Sequence, residues 1–308
     1  MLFKYVLLIF LSFIITSSSL STTAALDPKP ITGPYNSTTT TITIPTLDSS
    51  DRRVDIHYPA NYPNKSFPLI AYAHGLDNDV TDYTRQFKGL VSFGYVIFAH
   101  YSCKEGCKDD TTSLPYDPSG FANYYVEQLK VIEWARSHNN KTYLPCTIDF
   151  SNGVAIAGHS MGGQATLFSS SYGNASKFGI KAAVMHHAFT HEYPSPSIPF
   201  LAFTGGEDVV AYPEMTENYY NAAAGSNLAR GLVNRKVADH FEPEDPFFPF
   251  YNSYNPLIPQ FTAAWFKLHL ENKTTEFDID FEEMIYGNDT KSICNGGDSS
   301  MIKCETKQ

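Results

Sequence analysis

Apolar residues in this chain gather into short runs, and helical spacing appears between them. Residues 68–74 form one such run and stop at Gly75, while residues 95–100 and 154–157 form two more. Runs this short and this continuous predict strands buried on both faces. Residues 180–187, 198–204 and 231–236 predict further strands, and 41–44 and 53–58 alternate with the period of two expected of a half-buried strand. Between them, residues 81–93 predict a helix stopped by Gly94. Residues 122–137 place Val126, Leu129, Ile132 and Trp134 or Ala135 at helical spacing. Residues 161–171, 214–224 and 258–270 predict three further helices, the last one amphipathic. Strands that alternate with helices predict parallel βαβ units. No fixed-period repeat and no Gly/Ser linker divides the chain, so residues 53–308 read as a single α/β domain around one central sheet. Residues 26–52 read as a Pro/Ser/Thr-rich lead-in that ends in the first strand.

The first 25 residues depart from this pattern. Lys4 precedes a nearly all-apolar stretch at 5–15, a Ser/Thr-rich segment follows, and Ala24-Ala25 supplies small residues. This is the layout of a secretory signal, with cleavage expected near Ala25. The apolar stretch of 11 residues is short of the roughly 20 that a membrane-spanning helix needs, so no stable membrane insertion is expected after cleavage. The expected location is extracellular or the lumen of the secretory pathway.

Export predicts two further features. Asn36, Asn64, Asn140, Asn174, Asn272 and Asn288 each begin an Asn-x-Ser/Thr triplet and are candidate glycan acceptors. The five cysteines are Cys103, Cys107, Cys146, Cys294 and Cys304, and an oxidising compartment favours their pairing. Cys294 and Cys304 flank a Gly/Ser/Asp loop and are expected to pair. Cys103 and Cys107 either close a tight ring or send one of the two to Cys146, leaving one thiol over. No CxxC repeat supports a zinc site.

Composition narrows the partners. A chain of 308 residues with 43% hydrophobic content is globular, and its net charge of −10 argues against nucleic acid or an anionic membrane surface as a partner. A monomer acting on a small molecule is the expectation.

The candidate chemistry is concentrated at Gly158-His159-Ser160-Met161-Gly162-Gly163, which follows an apolar strand and opens a helix. A serine on so sharp a turn adopts a strained backbone, and glycines two residues before and after leave room for chain to pass chain. The serine needs a base and the base needs an acid, in the chain order serine, acid, histidine. The acid should follow a later strand, where Gly205-Gly206-Glu207-Asp208 stands, and Asp208 is preferred over Glu207. The base is then His240, because the one histidine further along, His269, lies in the closing helix. Asp239 beside it is expected to face solvent. The oxyanion donors should be the backbone N–H of Met161 and, after an early strand at His74-Gly75, that of Leu76.

Other groupings carry less. His186, His187 and His191 cluster after a strand, with His187 and His191 spaced to share a helix face, but no carboxylate completes a zinc-hydrolase motif and no metal is expected. The aromatic residues at 247–251, with Tyr254, suit either an acyl pocket or loop packing. Tyr124-Tyr125 and Tyr219-Tyr220 suit packing.

These segments together, with Gly205-Gly206-Glu207-Asp208-Val209-Val210 and Asp239-His240-Phe241, resemble the α/β-hydrolase superfamily over about residues 54–270. The nearest branch is the one of chlorophyllase-like, cutinase-like polyester-hydrolysing and dienelactone-hydrolase-like enzymes. The resemblance implies a mostly parallel central sheet flanked by helices on both faces. It also implies a serine carboxylic-ester hydrolase that works through an acyl-enzyme, without cofactor, on a small-molecule, lipid or polyester ester. Met161 and a C-terminal cysteine pair look like the cutinase side. Chlorophyllases tend to carry Arg where Met161 stands, and cutinase-like enzymes often carry an aromatic where Leu76 stands. A hydrolase-fold binding protein without catalysis, and an acyltransferase or thioesterase with the same triad, are the alternatives.

Overall fold

The computed structural model describes residues 29–49, 52–102, 124–139, 143–246, 253–295 and 301–308. The signal segment, Cys103, Cys107, Asn140 and the aromatic run at 247–251 lie outside the described residues.

The strands are β1 (Ser37–Thr43), β2 (Arg53–Pro59), β3 (Ser66–Ala73), β4 (Val96–His100), β5 (Thr147–Asp149), β6 (Val154–His159), β7 (Ile180–His186), β8 (Phe200–Gly205), β9 (Arg230–Arg235), the hairpin pair β10 (Thr275–Glu276) and β11 (Ile279–Asp280), and β12 (Met301–Lys307). The main sheet runs in the order β1-β2-β4-β3-β6-β7-β8-β9-β12, with β5 paired to β3. From β4 to β9 every neighbouring pair is parallel. The expected parallel units therefore hold at the centre. The ends differ: β1, β2 and β4 pair antiparallel, and β12 returns antiparallel onto β9.

The apolar runs behave as double-sided strands. Leu69, Ala71 and Ala73 of β3 join one core, while Ile70 and Tyr72 join the other. In β6, Val154 and Ile156 are divided from Ala155 and Ala157 in the same way. The first core is covered by α2 (Tyr124–Ser137), α3 (Met161–Ser169), α4 (Asn174–Phe178) and α5 (Pro213–Ala222). Those helices contribute Leu129, Ile132, Leu167, Phe168 and Tyr219 to it. The second core is covered by α1 (Thr84–Ser92), α6 (Ile258–His269) and α7 (Phe281–Tyr286), which bring Phe87, Leu90, Phe261, Trp265 and Phe266. Helices on both faces of a mostly parallel sheet make this the α/β-hydrolase architecture.

Some local expectations are corrected. The helix expected at 81–93 is divided into a 3₁₀ turn, Val80–Tyr83, and α1, because Asp79 and Asp82 close a capping box at its start. The residues after β7 form a loop rather than a helix. The chain turns at His187, whose φ is 48°, so His187 and His191 share no helical face. Cys294 and Cys304 form a disulfide, with their Cα atoms 5.3 Å apart. Cys146 is a buried free thiol, so the alternative in which it pairs does not occur. Among the described residues no helix is long and apolar enough to cross a membrane.

Candidate active site

The site is assembled at the C-terminal ends of β3, β6, β7, β8 and β9. At the end of β6 the chain turns through Ser160, whose φ of 55° and ψ of −119° lie outside the regions open to ordinary residues. The strain is held by its surroundings. The Ser160 N–H donates to the His186 carbonyl, and the Ser160 carbonyl accepts from Gln164 N–H as α3 begins. The two glycines of the turn are sterically required. A Cβ on Gly158 would lie 2.1 Å from the Gly162 carbonyl oxygen, and one on Gly162 would lie 2.0 Å from that of Ala73. The turn can close only because α3 enters against bare backbone.

His240 Nε2 is 2.9 Å from Ser160 Oγ, and His240 Nδ1 is 2.9 Å from Asp208 Oδ2. The other oxygen, Asp208 Oδ1, accepts from the N–H groups of Val210 and Ala211 at 2.9 and 2.7 Å. Burial alone would raise the Asp208 carboxyl above the usual range. Charge and hydrogen bonds from His240 and His187 outweigh that and hold it below the usual range. Glu207, the competing acid, is exposed. Asp239 is half-buried rather than turned to solvent. Its Oδ1 accepts from Phe241 N–H and its Oδ2 from Ser253 Oγ, which braces the loop that carries His240.

The two expected oxyanion donors are Met161, next to Ser160 in the chain, and Leu76, which follows Gly75. Met161 is the first residue of α3. Gly75, the residue before Leu76, is packed so closely that a Cβ on it would lie 3.2 Å from Ser160 Cβ. Gly75 N–H donates to Tyr83 Oη at 3.0 Å, and Tyr83 Oη–H meets His159 Nδ1 at 2.8 Å.

His187, grouped in the sequence with His186 and His191, instead joins Asp208 and His240. His187 is fully buried. Its Nδ1 lies 2.9 Å from the same Asp208 Oδ2 that His240 uses, and its Nε2 lies 3.2 Å from Glu242 Oε2. Arg235 Nη1 and Asn255 Nδ2 donate to the other Glu242 oxygen. A histidine immediately after the strand beside the nucleophile was the signal available. Glu242, two residues past His240, completes the pair. Of the two histidines grouped with it in the sequence, His186 is buried against Phe203 and Thr262, and His191 is exposed. Donor atoms of His187, Asp208 and His240 do lie within 4.8 Å of one another, but each is engaged in the hydrogen bonds just described. Of the candidate glycan acceptors, Asn36, Asn64, Asn272 and Asn288 are exposed and Asn174 is half-buried, with its amide on the Phe168 carbonyl.

A serine raised on a strand–turn–helix at the C-terminal edge of a mostly parallel sheet is the architecture of the α/β-hydrolase class. The family model described as PET hydrolase-like matches residues 21–295, and the chain belongs to that family. It is similar to "Cutinase 1" of Thermobifida cellulosilytica, with 29% identity over 221 residues that cover 71% of this chain and 74% of that protein. It is similar to "Cutinase" of Thermobifida fusca (strain YX) at 29% over 221 residues, covering 71% of this chain and 64% of that protein. The chain is on this ground a serine hydrolase acting on carboxylic ester bonds.

Proposed function

We propose that this is an exported carboxylic-ester hydrolase in which Ser160, His240 and Asp208 act as a triad and the substrate is a small-molecule, lipid or polyester ester. The observation that carries the reading is the continuous line of hydrogen bonds from Ser160 Oγ through the His240 ring to Asp208 Oδ2, each 2.9 Å long. With Nδ1–H donated to the carboxylate, the His240 Nε2 lone pair faces the serine hydroxyl, which is the tautomer a general base needs.

In the first step Ser160 Oγ bonds to the ester carbonyl carbon and its proton passes to His240 Nε2. The Met161 and Leu76 amides hold the oxyanion. The ester C–O bond then breaks, and His240 returns the proton to the departing alcohol. Water, activated in the same way, releases the acid and restores Ser160. The signal-like first 25 residues and the Cys294–Cys304 disulfide support export.

Ser160→Ala is expected to abolish turnover of p-nitrophenyl esters and labelling by a fluorophosphonate probe while leaving the folded protein intact by circular dichroism. Full turnover in that variant would remove Ser160 from the role. Esters of graded chain length, with and without an added alcohol acceptor, would separate hydrolysis from acyl transfer.

A further inference from the structure

The triad acid in this protein serves two imidazoles. Asp208 Oδ2 lies 2.9 Å from Nδ1 of His240 and 2.9 Å from Nδ1 of His187. A carboxylate oxygen has two lone pairs, so both rings can donate an N–H to it. That leaves His187 Nε2, which lies 3.2 Å from Glu242 Oε2 in a place without solvent. A neutral His187 would there set a lone pair against a carboxylate oxygen, and both would be buried. One more proton removes the conflict, and it resides either on the ring or on Glu242. Glu242 also takes hydrogen bonds from Arg235 and Asn255, which favour its ionised form.

We infer that His187 is held as an imidazolium between Asp208 and Glu242, and that its charge, which Glu242 maintains, tunes the basicity of the triad histidine. This rests on the triad reading given above and adds to it a positioning residue that acts through Asp208.

The neighbourhood of His187 is well defined. Asp208 faces it from the loop after β8, and Glu242 faces it from the loop after β9, with Arg235 behind Glu242. The His240 and His159 rings lie 6.2 and 6.4 Å away, centroid to centroid. His186 precedes it on β7. Burial first, then the charges of His240 and His187, drive the His159 ring well down, so it stays neutral. The rings of His186 and His159 therefore add no competing positive charge. A cation about 6 Å from His240 disfavours a second cation on that ring, and Glu242, on the far side of His187, offsets this only in part.

The test is the acidic limb of the kcat/KM profile against pH, because a limb is read from active molecules and does not depend on how much protein folds. Glu242→Gln keeps the shape of the side chain and offers an amide N–H to a neutral His187 Nε2. Its limb is expected to move to higher pH by about half a unit or more. His187→Gln, which keeps one donor toward Asp208 but carries no charge, is expected to move the limb the same way and to lower kcat about tenfold with KM within about twofold. Nitrogen-15 spectra of the wild type at pH 7, with His187 assigned by its loss in His187→Gln, should show both ring nitrogens protonated. Limbs of both variants that superimpose on the wild type, or a neutral His187 in the spectra, would overturn the inference. The triad reading would survive that outcome so long as Ser160→Ala is inactive, and it would fall separately if Ser160→Ala turns over ester.

Discussion

His159 Nε2–H donates to the backbone carbonyl of His240 across 2.7 Å, so the residue just before Ser160 anchors the loop that carries His240. On its other side, His159 Nδ1 accepts from Tyr83 Oη–H, and Tyr83 Oη accepts from Gly75 N–H. One buried chain of groups thus joins the Gly75 loop, the turn at Ser160 and the His240 loop. On the proposed mechanism both of its ends must be right at once, because the base and the oxyanion donors have to converge on one carbonyl.

Breaking that chain should cost more rate than binding. His159→Ala leaves the His240 carbonyl and the Tyr83 hydroxyl without their partner in a dry site. A loss of about 1–3 kcal/mol in stability is expected for such stranded groups. The kcat for a p-nitrophenyl ester should fall at least tenfold with little change in KM, and Tyr83→Phe should lie between this variant and the wild type. Urea unfolding and steady-state kinetics check both, and a His159→Ala enzyme with unchanged kcat would show that the contact does not position the base.

The elbow glycines make a stricter prediction. A methyl group on Gly162 would lie 2.0 Å from the backbone oxygen of Ala73, and no side-chain rotation relieves a clash with backbone. Gly162→Ala is expected to destabilise the fold by more than about 4 kcal/mol, beyond the range of ordinary substitutions, or to yield no soluble protein. Gly173 is the control. Unlike Gly162 it has a positive φ, 79°, but a Cβ there meets nothing within 4 Å, so Gly173→Ala should carry only backbone strain and keep its activity. Expression yield and thermal midpoint separate the two.

The contrast between these residues also explains what was readable from the chain. Ser160 was legible because a local steric requirement fixes its glycines. The meeting of Asp208 and His240 with Ser160 was legible because strand ends and chain order leave few places for them. His187 was not, since its role depends on the sheet bringing the end of β7 against loops that follow β8 and β9, and the spacing toward His191 suggested a helix instead. The edge strand β12 was missed for a related reason: Lys303, Glu305 and Lys307 make Met301–Lys307 too polar to look like a strand, and its partner β9 is far away in sequence. The antiparallel entry of β1 and β2 could not be told from period-two alternation, which is the same in either direction.

Buried histidines set the response of stability to acid. Burial, the largest influence in each case, pushes His57 and His269 down to about 4 and His100 and His186 down to about 3. An unfolded histidine titrates near 6.5, so between about 6.5 and 4 the unfolded chain binds protons that the folded one refuses. Stability is therefore full above that window and falls as pH drops through it. Asp208 acts in the same direction but lower down. Its carboxyl is held below the ordinary range, so its contribution is kept above that range and lost only as pH falls beneath it. The urea midpoint is expected to decline steeply from pH 7 to pH 5, by several kcal/mol in unfolding free energy. A midpoint that stays level over that interval would mean these rings are charged in the folded protein.

The Cys294–Cys304 disulfide should matter for stability and leave chemistry alone. It ties β12 to the segment after α7, across a sequence separation of 10, while β12 covers the outer edge of β9 with Cys304 opposite Val233. Closing a loop of that size removes entropy from the unfolded chain equivalent to about 2–3 kcal/mol. β9 leads directly into the loop of Glu242 and His240, so loosening its edge lowers the energy of opening that loop without moving either side chain in the folded state. A Cys294→Ser, Cys304→Ser double variant is expected to unfold at lower urea by that free energy and to keep kcat/KM within about twofold at 25 °C. Mild reduction of the wild type should reproduce the loss. Unchanged unfolding in the double variant would mean that the ladder between β12 and β9 holds the edge unaided.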